Sequence, residues 1–374
     1  MSELTVTAKI QICPNENDKQ ILLETMHHYR EACNYVSEYI FQTHDLNQSS
    51  VNKTVYHLLR DSYGLRSQMA QSVIKTVIAR YKTILENQKE WIQPDFKKPQ
   101  YDLVWNRDYS LNQNLFSVNT LNGRIKVSYF SKGMEQYFND EYKFGTAKLV
   151  YKHKKYFLHI PVTYEVPESN LSEICNVVGI DRGINFVAAT YDSKHRSGFF
   201  KGREIKQKRS HYKELRQRLQ QVKTPSSRRK LKRIGQRENR WINDINHCVS
   251  KALVENSPKH TLFVLEDLKG VRHATERVKK KDRYVSVSWA FYDLEQKLIY
   301  KAQKHQCSVI KVNPAYTSQQ CPVCGHTERA NRNKKIHLFC CKNCHYRSND
   351  DRIGAMNLYR KGIEYLVPDT VTAE

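Results

Sequence analysis

The sequence predicts a chain of two parts: a small β-barrel or sandwich with a helical insertion, then a mixed α/β sheet. Three observations predict it. From Tyr101 to Val166 apolar and polar residues alternate in a stretch rich in Tyr, Phe and Val, the period of half-buried strands. Upstream of it, apolar residues recur at spacings of three and four, the period of a helix face. Beyond a break at Pro167 to Ser172, three strand-like segments precede alternating helical and strand-like ones, the pattern of a mixed sheet. With 374 residues the chain has room for two or three domains, each with its own core, and 39% hydrophobic residues exclude wholesale disorder.

Taken in order, LTVTAKIQI reads as a strand that stops at Pro14. Leu22, Met26, Tyr29, Cys33, Val36 and Ile40 then share one face of a helix. A second helical stretch runs from Leu65 to Trp91, with Met69, Val73, Val77 and Ile84 on a comparable stripe, and Pro94 and Pro99 close it. Asn122-Gly123 signals a hairpin turn, and LVYKHKKYFLHIPVTY reads as a further hairpin. NVVGID is a buried strand, extended as a meander by FVAATYD and SGFFKG through Gly183 and the Ser193 region. A long basic helical stretch leads to the strand TLFVLEDL. Then come a helix with Phe291, Leu294, Leu298 and Ala302 on one face, the strand SVIKVNPA, a cysteine cluster, and a last helix from Ser348 to Leu366.

Charge narrows the function. Lys and Arg number 62 against 38 Asp and Glu, a net of +24, so the free chain repels itself and a polyanionic partner is expected. Residues 201–240 hold sixteen Lys or Arg against three Glu, a net of +13 and more than half of the excess. A charge run is often only a solvated face. Here unpaired like charges would destabilise a helix unless an anion neutralises them, so phosphate contact is expected from Arg203, Lys206, Lys213, Arg216, Arg228, Arg229, Lys232, Arg233, Arg237 and Arg240. Such contacts give affinity without reading sequence. The stretch lacks the apolar face of a membrane-surface helix, and no apolar run approaches the roughly 18 residues of a membrane span. The 23 tyrosines suit base stacking, although core and sheet roles account for most.

Ten cysteines raise the question of disulfides, but five of them crowd between Cys321 and Cys344. The start, MSELTVTAKIQ, has no charged region followed by an apolar core, so the expected compartment is the reducing cytoplasm and the cluster reads as metal binding. Cys321-Pro-Val-Cys324 and Cys341-Lys-Asn-Cys344 have zinc-ribbon spacing, in which four thiolates close a tetrahedral structural site around one Zn²⁺. Cys340 is the spare, since pairing it with Cys344 would leave three residues between. Arg329, Arg332, Lys334, Lys335 and Tyr346 around the cluster are placed to touch nucleic acid.

Three acidic residues stand where catalytic carboxylates would. Asp181 ends VVGI, Glu266 ends TLFVL, and Asp351 lies in the first turn of the last helix, capped by Ser348 or Asn349. Each has a plain alternative: a turn residue before Gly, a solvated strand end, a side chain favoured by the helix dipole. Their order along the chain (strand-Asp, hairpin, helix, strand-Glu, helix, strand, helix-Asp) is that of an RNase H-like fold. The chemistry it serves is two-metal phosphodiester hydrolysis, with two Mg²⁺ ions roughly 3.5–4 Å apart, one activating water and one stabilising the leaving oxygen. In the helix, Asp351 shares a face with Ala355 and Leu358 while Asp350 lies about 100° away, so Asp351 is the choice. At the strand, Glu266 has the parity of Leu262 and Val264, and Asp267 that of Phe263 and Leu265; periodicity leaves both open.

VVGIDRGINFVAAT, NRWINDINHCVSKALV, LFVLEDLKG, NPAYTSQQCPVCG and NDDRIGAMNLYRKG together resemble the TnpB proteins of bacterial and archaeal insertion sequences, relatives of the type V CRISPR effectors. The resemblance is clearest from about residue 175 to 362 and extends to the layout of the N-terminal half. It implies an RNA-guided DNA endonuclease whose RuvC-type domain carries an Asp, Glu, Asp triad, matched by Asp181, Glu266 and Asp351, which favours Glu266 over Asp267. It also implies a zinc ribbon of Cys321, Cys324, Cys341 and Cys344 before the last helix. The implied domains are a β-barrel wedge (1–14 and 97–168), a helical recognition domain (15–96), the nuclease domain (173–316 and 347–367) and the ribbon (317–346). The final motif departs from the commoner D-x-N-A-A-x-N pattern, with Ile353-Gly354 in place of Asn-Ala.

The expected protein is a monomeric ribonucleoprotein in the bacterial or archaeal cytoplasm, associated with the nucleoid when on DNA. It holds a transposon-derived guide RNA, recognises a short motif beside the target and cuts double-stranded DNA with Mg²⁺. Guide pairing reads the sequence while the protein holds backbones. A nuclease-inactive RNA-guided repressor on the same scaffold would be expected to lose acidic ligands, and all three remain. A compact type V CRISPR effector differs in the neighbouring DNA, and a DNA-joining transposase fits the motif order less well.

Overall fold

The computed structural model describes residues 2–88, 90–112, 115–139, 141–168, 170–183, 185–268 and 291–367. The chain divides into two units, one spanning Glu3–Glu165 and the other almost all the rest.

The N-terminal unit is a helical insertion on a curled eight-stranded sheet. Its strands are β1 (Ser2–Cys13), β2 (Gln100–Leu103), β3 (Tyr109–Asn112), β4 (Leu115–Thr120), β5 (Gly123–Phe130), β6 (Lys143–Phe144), β7 (Ala147–Lys152) and β8 (Lys155–Val166). They lie in the order β2-β7-β8-β1-β5-β4-β3, with β6 on β8. Between β1 and β2 come α1 (Glu16–Thr43), α2 (Gln48–Asp61) and α3 (Ser67–Gln88). The stripe from Leu22 to Ile40 expected for α1 is wholly buried, and the Asn15 side chain caps the helix by accepting the Asp18 N–H. On α3, Met69, Val73 and Val77 are buried while Ile84, near the end, is half-buried.

Two local expectations shift. Helix α2 was not foreseen: its buried stripe is only Val51, Val55 and Leu59 in a polar segment, and Asn47 caps it with its side chain. The hairpin turn expected at Asn122-Gly123 sits one residue earlier, because Thr120 pairs with Gly123 and leaves Leu121 and Asn122 as the turn. Gly123 opens β5 at φ 121°, a conformation that favours glycine. The next hairpin turns at His153 and Lys154, both with positive φ, the two-residue geometry that matches strand twist.

The second unit is built on a five-stranded sheet of β9 (Asn176–Asp181), β10 (Phe186–Asp192), β11 (Ser197–Lys201), β12 (Thr261–Glu266) and β13 (Ser308–Val312). The order is β11-β10-β9-β12-β13, antiparallel across the first three and parallel across β9, β12 and β13. Between β11 and β12 stand α4 (Arg203–Val222) and α5 (Pro225–Glu255), and α6 (Phe291–Lys304) precedes β13. After β13 come a small sheet of β14 (Arg332–Asn333), β15 (Leu338–Cys340) and β16 (Arg347–Asn349), then α7 (Asp350–Leu366).

Alternation along the strands divides the core between the two faces. Val178, Ile180, Phe263 and Leu265 pack with Ile242, Val249 and Leu253 of α5 and Leu294 and Leu298 of α6. Val177, Leu262 and Val264 face the other way, onto Leu358 of α7. Helix α7 lies so close that a Cβ on Gly179 would sit 2.1 Å from the Ala355 carbonyl oxygen, and one on Gly362 2.5 Å from Val264. Among the described residues, no helix is long and apolar enough to cross a membrane.

Candidate active site

The two faces divided in this way set where the candidate carboxylates lie. Residues of β9 and β12 that face α7 are Val177, Gly179 and Asp181, and Leu262, Val264 and Glu266. Pairing of Leu265 with Ile180, continued by one step, sets Glu266 beside Asp181 at the ends of adjacent parallel strands. Asp267 has the opposite parity, and its N–H donates to the Val312 carbonyl in the ladder to β13. The Asn349 side chain caps α7 by accepting from the N–H groups of Asp351 and Arg352, which fixes the first turn over the strand ends.

The structure sets Glu266 and Asp351 close enough to Asp181 for their charges to act on it, while the tighter group, with ligand atoms within 4.8 Å of one another, is His337, Asp350 and Asp351. Burial, then the carboxylates of Glu266 and Asp351, push the Asp181 carboxyl well above the usual carboxylate range, with Arg332 opposing. Asp351 is raised too, by burial and by Asp350. One Asp351 oxygen, Oδ2, is buried without a hydrogen-bond partner among the described residues. Crowded carboxylates with an orphaned oxygen are a donor set that fits hard divalent cations.

The two adjacent aspartates divide their work. Asp350 is fully buried and bound from the ribbon segment: Arg332 Nε donates to its Oδ2 at 2.8 Å, and His337 Nδ1 lies 3.3 Å from its Oδ1. Asn185 holds the other ring nitrogen of His337 at 2.8 Å. Asp351 keeps only a longer 3.6 Å approach to Arg332. The sequence reading gave Arg332 to nucleic acid; its guanidinium is turned inward onto these carboxylates.

Further residues that the sequence did not single out support the site. The Thr317 hydroxyl donates to Glu266 Oε1, and Asn357 of α7 donates to the carbonyls of Thr317 and Gln320 at 2.7 and 2.8 Å. Arg182, buried next to Asp181, donates to the Glu266 carbonyl at 2.7 Å and pairs with Glu295 of α6 at 2.9 Å. No local pattern announces these residues; they matter only through what the fold sets against them.

Cys321, Cys324, Cys341 and Cys344 form one group with every pair of sulfurs within 4.8 Å, and the pairs Cys321–Cys344 and Cys324–Cys341 at 3.6 and 3.5 Å. Four thiolates around one Zn²⁺ at about 2.3 Å stand roughly 3.8 Å apart, so the set fits a closed tetrahedral site. Two knuckles shape it. Gly325 N–H returns to the Cys321 carbonyl and His345 N–H to the Cys341 carbonyl. The His326 N–H lowers the Cys324 thiol to about 6. Cys340 stays outside the group.

The basic helices give one correction. Arg203, Lys206, Arg228, Arg229, Lys232, Arg233, Arg237 and Arg240 are exposed on α4 and α5, and Lys213 is half-buried. Arg216 is not an unpaired surface charge: with buried Arg209 it meets buried Glu238 of α5, tying α4 to α5. A lone Glu in a basic run gave no sign that two arginines would converge on it.

In sequence the chain is similar to a probable transposase family and to RNA-guided and CRISPR-associated endonucleases. Residues 159–276 match the OrfB_IS605 family model, described as a probable transposase, and residues 291–358 match the Cas12f1-like TNB domain. The chain is 27% identical over 369 residues to the CRISPR-associated endodeoxyribonuclease Cas12f1 of Sulfoacidibacillus thermotolerans, covering 87% of this chain and 84% of that one. It is 28% identical over 333 residues to the putative RNA-guided DNA endonuclease InsQ of Escherichia coli, covering 83% and 77%. Against the TnpB-like protein MJ0751 of Methanocaldococcus jannaschii it is 27% identical over 242 residues, covering 63% and 84%. The fold matches Cas12f1 in its complex with sgRNA and target DNA at a TM-score of 0.62 and 12% identity, over 96% of this chain and 99% of that one. The chain is a relative of the TnpB-like and Cas12f proteins, as its motifs implied.

Proposed function

We propose that this protein is an RNA-guided DNA endonuclease that hydrolyses target DNA at a RuvC-type centre of Asp181, Glu266 and Asp351. The observation that carries the reading is that Asp181 and Glu266 end adjacent parallel strands on the side covered by the first turns of α7, where Gly354 abuts Asp181 and Asp351 Oδ2 is buried without a partner among the described residues. The strand order β11-β10-β9-β12-β13 with its antiparallel-to-parallel change supports an RNase H-like domain. The names of the relatives, RNA-guided and CRISPR-associated endonucleases, support the guide and the DNA substrate.

In this reading the three carboxylates hold Mg²⁺, which supplies activation of water and charge stabilisation at the leaving oxygen. Thr317 orients Glu266, while Arg332 and His337 hold Asp350 and so fix the first turn of α7. The four cysteines hold Zn²⁺ and keep the ribbon folded, and with it Arg332. Exposed arginines and lysines of α4 and α5 bind guide and target backbones. The N-terminal sheet serves as wedge and α1 to α3 as recognition domain for the target-adjacent motif.

Copurification from cells carrying the native flanking DNA, followed by sequencing of the bound RNA, tests the guided reading; a folded protein without a defined RNA overturns it. With that RNA, matched duplex DNA should be cut in Mg²⁺, and the Asp181→Ala protein should not cut it. A second reading has its own support: identity to Cas12f1 spans more of this chain than identity to the other relatives named. A bound RNA that begins in a repeat array instead of an element end would make the protein a compact CRISPR effector.

A further inference from the structure

The loop between β13 and the first zinc knuckle, residues 313–320, is held from several sides. Lys361 of α7 donates to the carbonyl of Asn313 at 2.6 Å and to that of Ala315 at 3.2 Å. Asn357 grips the carbonyls of Thr317 and Gln320. The N–H groups of Gln319 and Gln320 both close on the Tyr316 carbonyl. At the middle of this pinned loop Tyr316 has φ 63°, the left-handed region that a bulky residue enters only at a cost. The residue is 62% exposed, and its side chain has no partner among the described residues. The next residue, Thr317, is the one whose hydroxyl holds Glu266.

A turn of this geometry alone asks for Gly or Asn. Here a large aromatic ring is held in solvent, on a rigid support, one residue from the partner of a carboxylate in the proposed centre. We propose that Tyr316 is a substrate-positioning residue that stacks on an unpaired base of the DNA strand entering the carboxylate site. The proposal rests on the nuclease reading and adds a residue that positions its substrate. A ring face can take a base only where that face is not already stacked in a duplex, so the strand is presented single-stranded. Stacking accepts any base, which suits a protein whose sequence reading is left to a guide. Strain at such a position belongs with function when the surroundings enforce it, and Lys361 and Asn357 do so here.

The test compares Tyr316→Phe, Tyr316→Gly and wild type as complete guide complexes. Phe keeps the ring; Gly removes it and relieves the positive φ. Expected are near-wild-type cutting by Tyr316→Phe, cutting by Tyr316→Gly slowed about tenfold or more, and a melting temperature of Tyr316→Gly equal to or above wild type. A residue serving only the fold would not lose activity while gaining stability. A single-stranded target carrying 2-aminopurine at successive positions gives a direct readout. Its fluorescence should be quenched at one position by wild type and Tyr316→Phe but not by Tyr316→Gly. Wild-type cutting rates in Tyr316→Gly, or quenching independent of the ring at every position, would overturn the stack. If wild type binds and quenches but never cuts guided DNA, the nuclease reading fails and the stack stands.

Discussion

Gly354 faces Asp181 across the helix–sheet contact, and replacing it with Ala is a sharp probe of the site. An added Cβ would lie 2.5 Å from Asp181 Oδ2, 2.8 Å from its Cγ and 3.2 Å from its Cβ. Ordinary contact begins near 3.4 Å, so the carboxyl must withdraw by about 0.9 Å, or α7 must lift. Overpacking of this kind costs about 1–3 kcal/mol, and for a unit of this size each kcal/mol lowers Tm by roughly 2–4 °C. A shift near 1 Å in a carboxylate of the proposed metal centre should slow cutting about 100-fold. Four proteins separate this from general damage to packing: wild type, Gly354→Ala, Asp181→Ala and the double variant. Removing the Asp181 carboxyl clears the two closest atoms, so most of the Tm loss caused by Gly354→Ala should vanish in the Asp181→Ala background. Gly362→Ala, which meets Val264 instead, should cost stability equally in both. Equal losses for Gly354→Ala with and without the Asp181 carboxyl would refute the contact. The departure from the commoner motif thus has a physical meaning in this chain, since glycine is what lets the carboxyl rest against the helix.

Other predictions follow from the charges and thiols. The Asp181 carboxyl is raised in the folded state by burial and by Glu266 and Asp351. Its stabilising contribution is therefore complete below the unfolded value of about 3.9 and is lost as pH rises through the raised value. In EDTA at pH 7, Asp181→Asn should melt above wild type, with the gap closing toward pH 4 and on adding Mg²⁺; a lower Tm for the variant at pH 7 contradicts this. Arg229, Arg233 and Arg240 changed together to Ala should weaken RNA binding and flatten its salt dependence by roughly 2–3 in log–log slope. Arg216→Ala should instead lower Tm, because buried Glu238 loses a partner; the same two assays distinguish them. Cys324→Ser should reduce zinc from about one ion per chain to none. It should also abolish cutting without changing the far-ultraviolet signal of the main sheet, as the hold of Arg332 on Asp350 loosens; full zinc content would count against the four-thiolate set.

Much of this was written in local sequence. The α1 stripe from Leu22 to Ile40 is legible because burial on a helix repeats with the helix period, and the cysteine spacing because a knuckle has a fixed length. Helix α2 escaped because three apolar residues, four apart in a polar segment, carry too little signal. The one-residue shift of the Asn122-Gly123 turn reflects register, which the whole sheet sets. Arg182, Thr317 and His337 were out of reach because each acts through a partner far away in sequence.

The sequence alone determined most of the element order, the candidate acids, the four thiolates and the address of the positive charge. These depend on residue type and spacing. The choice of Glu266 over Asp267 was different. Alternation gives a strand two faces without saying which of them carries the site. The family resemblance favoured Glu266, and the packing of α7 on Val177, Leu262 and Val264 then puts Asp181 and Glu266 on the α7 side of the sheet. Tertiary structure likewise made Asp350 a fully buried anchor and Asp351 its more loosely held buried neighbour, because about 100° of helix rotation separates adjacent residues. It also turned Arg216 from a surface charge into a half-buried clasp on buried Glu238. Which charges meet is a matter of through-space distance, and that is fixed only when the helices and the sheet have packed.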